Sequence, residues 1–253
     1  MKKAIVAVLF VVVFVATPAM AQQAPDWSKA AHRILPLIVG GGWDTSITGF
    51  SNGDDTQTVF LWRSITDGST FKLDTWHIDG SSGGTNEKMT WGIVSRGVGK
   101  ILLTTPSGSL KFGWIDHSIL LTPSGDFTTT AFATLRHKGD DGKTIGETIF
   151  PGGVPGKIFS FPVERLGGSE TSLMLVNPGN QDTMIRMTLR NTKEVGMMEV
   201  LLSPRGGIAT MIATPYPEFL GTIDIVADQE VAGFAFKMNA DGSFSAVPKG
   251  PGR

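Results

Sequence analysis

The chain has 253 residues, no cysteine and a formal net charge of −1, with 22 Lys and Arg against 23 Asp and Glu. Without cysteine it has no disulfides, thiolate metal sites or thiol nucleophiles. The balanced charge and the absence of a Lys/Arg cluster in the sequence argue against binding to nucleic acid or to an anionic membrane surface. A charged fraction of 18% and 32 glycines are typical of a turn-rich β protein.

The first 21 residues have the pattern of a signal peptide. A basic start precedes an apolar run from Ala4 to Val15, and Ala19-Met20-Ala21 is a small-x-small cleavage signature. The apolar run is shorter than the ~20 residues that a transmembrane helix needs. We therefore predict a secreted or periplasmic protein with no membrane span in the mature chain, which begins with a flexible lead-in over residues 22–31.

The remaining sequence resembles itself at fixed offsets. The stretch GGWDTSI (Gly41 to Ile47) reappears 126 positions later as GGSETSL (Gly167 to Leu173). The stretch FGWID (Phe112 to Asp116) reappears 108 positions later as LGTID (Leu220 to Asp224). Self-similarity of this length indicates two copies of one folding unit.

Glycine and proline interrupt the two copies at matching points, and Val154-Pro155 is matched to Val247-Pro248 at their ends. We predict a first unit over residues 32–155, a second over residues 156–248, and a tail over residues 249–253. Each unit is long enough to bury a core without disulfides.

Short runs of β-branched and aromatic residues alternate with turn signals through both units, and no window carries a helical apolar stripe. About seven short strands per unit are typical of an immunoglobulin-like sandwich. We therefore predict an all-β fold of two tandem Ig-like antiparallel β-sandwich domains. Gly41-Gly42 and Gly167-Gly168 are expected to form equivalent turns, each with at least one positive φ.

The first unit carries 18 extra residues, inserted at about residues 64–98. This insertion contains Trp76, His77, Asp79 and Trp91 around a Gly/Ser loop. Exposed tryptophans can stack on sugar rings, and binding residues concentrate on loops carried by rigid elements, so these four are our candidate ligand-binding residues. A hairpin that only extends one sheet is the alternative.

Two further tryptophans of this unit, Trp62 and Trp114, are expected in a core, because an Ig-like unit usually buries one large aromatic between its sheets.

Fragments of the sequence imitate a trypsin-like serine protease. They are AAH (Ala30 to His32), IVGG (Ile38 to Gly41) and DGSSGGT (Asp79 to Thr85). The order is wrong for that family, since the histidine comes first and Ser82 follows it by only 50 residues. A catalytic triad needs the geometry of its fold, so we predict no catalytic residues and a protein that is not an enzyme.

Metal ligands are not concentrated anywhere in the sequence. The four histidines show no ligand-pair spacing for zinc, and no cysteine can assist them. Asp54-Asp55 and Asp140-Asp141 lack the spaced acidic ladder of a calcium loop, so only weak calcium binding stays open. We predict no metal site and no cofactor.

The GGWDTSI opening, the NPGNQDT turn (Asn177 to Thr183) and the closing Val-Pro resemble a known type of tandem β-sandwich repeat. Such repeats occur in secreted proteins of environmental bacteria, with a GGW-S-T-x-hydrophobic opening and a later N-P turn. The resemblance covers nearly all of the mature chain. It implies two β-sandwich units and no characterised activity.

These observations predict an exported, non-catalytic binding or structural module. Its partner is expected to be a protein, a cell-surface assembly or a polysaccharide. One alternative is a hydrolase or lyase that acts on envelope polysaccharide. Another is a periplasmic chaperone-like partner, because a two-module, cysteine-free exported chain resembles pilus chaperones in outline.

Overall fold

The computed structural model describes residues 30–52, 56–77, 79–93, 96–119, 126, 128–192, 194–212, 216 and 218–251. The predicted signal peptide, residues 1–21, and residues 22–29 of the predicted lead-in lie outside this part of the chain. Every regular element within it is a β-strand, and it holds no helix that could cross a membrane. The predicted all-β class is therefore confirmed.

The first ten strands form what we call the N-terminal half. They are β1 (Ala31–Val39), β2 (Trp43–Ser51), β3 (Thr56–Ser64), β4 (Leu73–His77), β5 (Ser82–Asn86), β6 (Lys88–Ile93), β7 (Val98–Thr104), β8 (Lys111–Ile119), β9 (Thr129–Lys138) and β10 (Thr144–Pro151). One antiparallel sheet has the order β1-β8-β3-β6 and the other the order β10-β9-β2-β7-β4-β5. Both sheets contribute to one apolar core, which includes Trp62, Ile115 and Leu103.

The remaining strands form the C-terminal half. They are β11 (Gly156–Leu166), β12 (Ser169–Val176), β13 (Thr183–Arg190), β14 (Glu194–Leu202), β15 (Gly207–Met211), β16 (Phe219–Met238), β17 (Phe244–Val247) and β18 (Gly250–Pro251). The long strand β16 pairs with β13 and β11 over residues 219–227, and with β12 and β17 over residues 232–238. A second core, with Phe161, Leu175 and Ile225, fills this half.

The strand pairings of the two halves correspond. Leu35 lies opposite Ile115, and Phe161, 126 residues after Leu35, lies opposite Ile223, 108 residues after Ile115. The order β6-β3-β8-β1 in the N-terminal half therefore matches the order β14-β13-β16-β11 in the C-terminal half. The additional pair β4-β5 comes from the predicted insertion.

The register corrects one match that the sequence suggested. Ile34 pairs with Gly153, and Ser160, 126 residues after Ile34, pairs with Gly250. Gly250 thus corresponds to Gly153, which makes Pro248 the counterpart of Pro151 and not of Pro155. The match between Val154-Pro155 and Val247-Pro248 is four residues out of register with the strand pairing and is therefore a coincidence. Gly250 also places a short strand within the predicted tail.

The two GG turns behave as expected from the sequence. Gly41 and Gly42 have φ of 57° and 87°, and Gly167 and Gly168 have φ of 57° and 82°. Two successive residues with positive φ are what a two-residue hairpin loop requires, and glycine adopts them without a steric penalty.

A buried threonine fastens the strands on either side of each GG turn. The Thr45 hydroxyl accepts a hydrogen bond from Ile38 N at 3.1 Å and donates one to Ile38 O at 2.7 Å. The Thr171 hydroxyl makes the same two bonds with Glu164, at 2.9 and 3.2 Å. Each hydroxyl thereby satisfies a backbone donor and a backbone acceptor at the point where the chain turns back.

A third apolar core lies between the two halves. It combines Ile34 and Trp114 from the N-terminal half with Val176, Phe234 and Phe236 from the C-terminal half. Trp114 is completely buried there. The predicted burial of Trp62 and Trp114 is confirmed, although Trp114 fills the core between the halves and not the core of its own half.

A neutral histidine is buried in the N-terminal half. The His117 ring stacks on Phe60 with centroids 4.4 Å apart, and its Nε2 lies 2.6 Å from the Thr58 hydroxyl. That hydroxyl donates its proton to Ser118 O at 2.8 Å, so His117 Nε2 is the donor and Nδ1 carries the lone pair. Nδ1 has no hydrogen-bond partner among the described residues. Burial lowers the pKa of His117 to about 3, while Asp116 opposes the shift.

We expect His117 to make the fold sensitive to acid. The unfolded chain takes up a proton at the ordinary histidine pKa of 6.5, whereas the folded chain does not until about pH 3, so folding stability falls as pH decreases through this window. Substituting His117→Ile, the residue found at the corresponding position 225, should reduce the slope by up to about 1.4 kcal/mol per pH unit. Urea unfolding of both proteins at several pH values measures it. Equal slopes would contradict the assignment.

Candidate functional site

The insertion places its two tryptophans in different sheets. Trp76 lies on β4, and β4 and β5 form a hairpin at the edge of the six-stranded sheet. Its side chain is 39% exposed. Trp91 lies on β6, at the edge of the four-stranded sheet. The two indoles therefore do not share one outward face.

Trp91 packs inward and closes the open side of the sandwich. Its ring centroid is 5.9 Å from that of Phe60, and it joins the partly buried residues around the core of the N-terminal half. The ring reaches across to Gly49 and Gly99 of the opposite sheet, where a Cβ at Gly99 would lie 1.8 Å from a ring atom. Glycine is needed at position 99 because the indole occupies the space that a side chain would fill, and at Gly49 a Cβ would come within 3.1 Å of the ring.

His77 is the last residue of β4, and Asp79 lies in the turn between β4 and β5. The Asp79 carboxylate accepts hydrogen bonds from Ser81 Oγ at 2.6 Å and from Ser81 N at 2.9 Å, and these bonds lower its pKa. His77 is half-buried, and its backbone O accepts a bond from Gly80 N at 3.0 Å. Of the four candidates, only Trp76 and Asp79 are exposed. A ligand-binding role for the set stays a prediction.

A cavity lined by ionisable side chains lies elsewhere, in a cleft between the two halves. It has a volume of about 570 Å³. His32 and Asp116 line it from the N-terminal half, while Lys157 on β11, Arg205 in a turn and Glu230 on β16 line it from the C-terminal half. Five ionisable side chains from separate parts of the chain therefore surround one cavity.

An ion pair forms one wall of the cleft. His32 Nδ1 lies 2.7 Å from the Asp116 carboxylate, whose side chain is 8% exposed against 48% for His32. The hydrogen bond to Asp116 raises the pKa of His32, against partial burial and the nearby charge of Arg205, which lower it. Because Nδ1 is engaged, Nε2 is the ring nitrogen available to a ligand.

A serine also approaches this histidine, in an arrangement that differs from a catalytic triad. Ser118 Oγ lies 3.5 Å from His32 Nδ1, the same nitrogen that binds Asp116. In a triad the carboxylate binds Nδ1 and the nucleophile binds Nε2, so that the histidine can take its proton. Ser118 is not placed for activation by His32.

Arg205 enters the cleft from a strained backbone position. Its φ of 62° is in the left-handed region, which costs a residue with a side chain of order 1–3 kcal/mol. Three hydrogen bonds hold it there: Trp114 Nε1 donates to Arg205 O at 3.1 Å, Arg205 N donates to Gly179 O at 3.2 Å, and its guanidinium donates to Pro178 O. Gly68 packs against it, since a Cβ there would be 2.4 Å from the Arg205 backbone.

The remaining wall is set by a fully buried asparagine in the NPGNQDT turn. Asn177 Nδ2 donates to Gln181 O at 2.7 Å and to Ser203 O at 3.1 Å, and its Oδ1 accepts from Gly179 N at 2.9 Å. Lys157 Nζ donates to Asp228 O at 2.7 Å, which leaves its other protons toward the solvent. The turn is rigid, and the cationic groups beside it can donate further hydrogen bonds.

A second cavity between the halves, of about 310 Å³, is apolar. Trp43, Phe112, Met174 and Met211 are among its lining residues. It contains no ionisable side chain, so the polar cleft is the site with recognisable chemistry.

Among the described residues no group of three or more His, Asp or Glu side chains could hold a metal ion. Asp54-Asp55, considered above for calcium, lie outside that part of the chain.

Sequence reasoning singled out His32 only as part of a protease imitation, and it did not identify Lys157 or Arg205. No local signal marks these residues, because they are far apart in the sequence and meet only through the packing of the halves.

Comparison with protein-family models finds none that matches this sequence, and comparison with curated proteins finds no relative. The function is therefore inferred from the geometry of the site.

The packing of Trp91 is directly testable. We expect Gly99→Ala to destabilise the protein by about 1–3 kcal/mol, because the new methyl group would overlap the indole. Gly92→Ala on β6, next to Trp91 in the sequence, is the matched control, since a Cβ there would meet no atom within 4 Å. Urea unfolding followed by tryptophan fluorescence measures both. If the two variants are equally stable, Trp91 does not fill that space.

Proposed function

We propose that this protein is an exported, non-catalytic binding module, built from two tandem Ig-like antiparallel β-sandwiches, and that it binds a negatively charged group of its ligand in the cleft between them. The corresponding strand orders of the two halves support the tandem Ig-like description. The signal-peptide pattern of residues 1–21 supports export.

The observation that carries the proposal is the convergence of three cationic groups on one cavity. Lys157 and Arg205 contribute cationic side chains, and His32 becomes charged as pH falls through its raised pKa. Asp116 and Glu230 also line the cavity, so its charges balance when His32 is neutral and leave one net positive charge when His32 is protonated. The balance of charge therefore favours an anion when His32 is protonated, and an arginine matches the two oxygens of a carboxylate.

Carboxylates occur on acidic polysaccharides and on acidic protein segments, both of which suit a partner at the cell envelope. The site is formed only when the two halves are packed together, because His32 belongs to one and Arg205 to the other. This gives a physical role to the rigid joining of two sandwiches.

Binding of an oligogalacturonate, measured by calorimetry, tests this function. Its methyl-esterified form has the same sugars without the charges. We expect the acid to bind and the ester not to bind, and affinity to increase as pH falls through the pKa of His32, because the imidazolium adds a positive charge. An acidic peptide and its amidated form, tested in parallel, distinguish a protein partner from a polysaccharide.

The structure offers a clean variant for this experiment. Arg205→Gly removes the guanidinium and suits the φ of 62°, and we expect it to weaken binding about tenfold or more. Arg96→Gly is the control, since Arg96 has a φ of 53° in an exposed turn that does not line the cleft. Equal binding of acid and ester, or unchanged affinity in Arg205→Gly, would contradict the proposal.

One observation favours the alternative of a hydrolase or lyase acting on envelope polysaccharide. His32 is hydrogen-bonded to a buried carboxylate in the cleft, which is a usual setting for a general base. The same incubations therefore include an assay for cleavage of the oligosaccharide. Cleavage that His32→Gln abolishes would replace the binding proposal with the enzymatic one.

A further inference from the structure

Among the described strands, β14 lies at one edge of the sheet of the C-terminal half. Within the described chain it pairs with β13 alone, through a ladder that is regular from Gly196 to Leu202. Its side chains at Met197, Met198 and Leu201 are 60%, 46% and 59% exposed. An edge strand presents a row of unpaired N–H and C=O groups, and an apolar one is a template for another strand.

The exposed side chains lie on both faces of β14. Met198 is opposite Met187, which is buried in the core, so Met198 extends the inner face of the sheet to its rim. Met197 and Leu201 alternate with it and extend the outer face. A strand placed beside β14 would therefore cover apolar side chains on both sides.

Other edges of the molecule carry features that discourage pairing. The strand β5 consists of Ser, Gly, Thr and Asn residues, and β6 begins with Lys88 and contains Gly92. The strand β10 has a register irregularity near Gly146 and ends at Pro151. Lysine, proline, irregular pairing and short length are the usual protections of an edge. The regular part of β14 has no lysine, proline or irregular pairing, and its one charged residue, Glu199, is held by Arg186 of the neighbouring strand.

We propose that β14 pairs antiparallel with β14 of a second copy of this chain, so that one continuous sheet crosses a two-fold axis. The incoming strand must match the length of β14 and be apolar on both faces, and β14 itself meets both requirements. A two-fold axis makes such an interface self-complementary.

The charge pattern of β14 is compatible with this pairing. Glu199 is the one charged residue between Gly196 and Leu202. Arg186 on the neighbouring strand holds it, with Nε and Nη2 each 2.9 Å from its Oε1. The arginine partly neutralises the carboxylate within each copy, which reduces the repulsion between two copies.

Sedimentation velocity of the purified protein over a wide concentration range tests the pairing. We expect a reversible dimer, and we expect Met198→Lys to raise its Kd by about tenfold or more, because each copy would bring a charge into an apolar junction. Leu220→Lys is the matched control. Leu220 is 66% exposed on β16 of the same sheet, away from the edge, and its substitution should leave the dimer intact.

The absence of cysteine allows a second, independent measurement. A single cysteine is introduced at one position at a time, from 197 to 201. The variant whose cysteine lies at the two-fold axis should form an interchain disulfide and the other variants should not, because bridged Cα atoms lie within ~4.4–6.8 Å of each other. Leu220→Cys should not cross-link.

Three results would overturn the proposal. The first is a monomer at every concentration. The second is a dimer that survives Met198→Lys but is lost in Val226→Lys, since Val226 lies on the outer face and such a dimer would pack face to face. The third is protection of β14 amides by an extended apolar peptide in a monomeric protein, which would assign the edge to a strand of another protein.

Discussion

The apolar core between the two halves is the interaction on which the candidate site depends. Trp114 fills this core and also donates from Nε1 to Arg205 O at 3.1 Å. Gly68 packs against the same backbone, so the left-handed conformation of Arg205 is held by groups from the other half. Backbone strain at a single residue persists only where the surrounding structure over-determines it. If the halves separated, the strain at Arg205 would be released, and His32 would lose its cationic neighbour.

The two halves use the core between them asymmetrically. By register, three apolar positions of the N-terminal half that enter it correspond to polar positions of the C-terminal half: Ile34, Ile38 and Trp114 correspond to Ser160, Glu164 and Thr222. The C-terminal half instead contributes β12, β16 and β17, through Val176, Phe234 and Phe244. The face of the C-terminal half that corresponds to this buried face of the N-terminal half is therefore polar. Terminal units of repeat arrays have a polar outer face of the same kind. Contacts with a second copy would then occur at an edge such as β14 more readily than by stacking of this face.

Local features of the fold could be predicted from the sequence, and features formed over long range could not. The GG turns and the burial of Trp62 follow from glycine conformation and from apolar character, which are properties of single residues and their neighbours. The insertion was located from its length, but the sequence could not show that Trp91 packs inward, because this depends on Gly49 and Gly99 in the opposite sheet. The cleft was missed for the same reason. Its residues belong to segments that are brought together by a core between halves, and no spacing rule relates them.

The coupling of the two halves can be measured in one experiment, because the tryptophans and most of the methionines lie in different halves and can be followed separately. All six tryptophans precede residue 138, and seven of the ten methionines follow residue 155. Urea unfolding followed by tryptophan fluorescence reports on the N-terminal half, and the methyl NMR signals of the methionines report mainly on the C-terminal half. If the core between the halves joins them into one cooperative unit, we expect both probes to give the same midpoint, and Trp114→Thr to lower both midpoints together. Two separate midpoints in the unsubstituted protein would show that the halves unfold independently and would contradict the central role of that core.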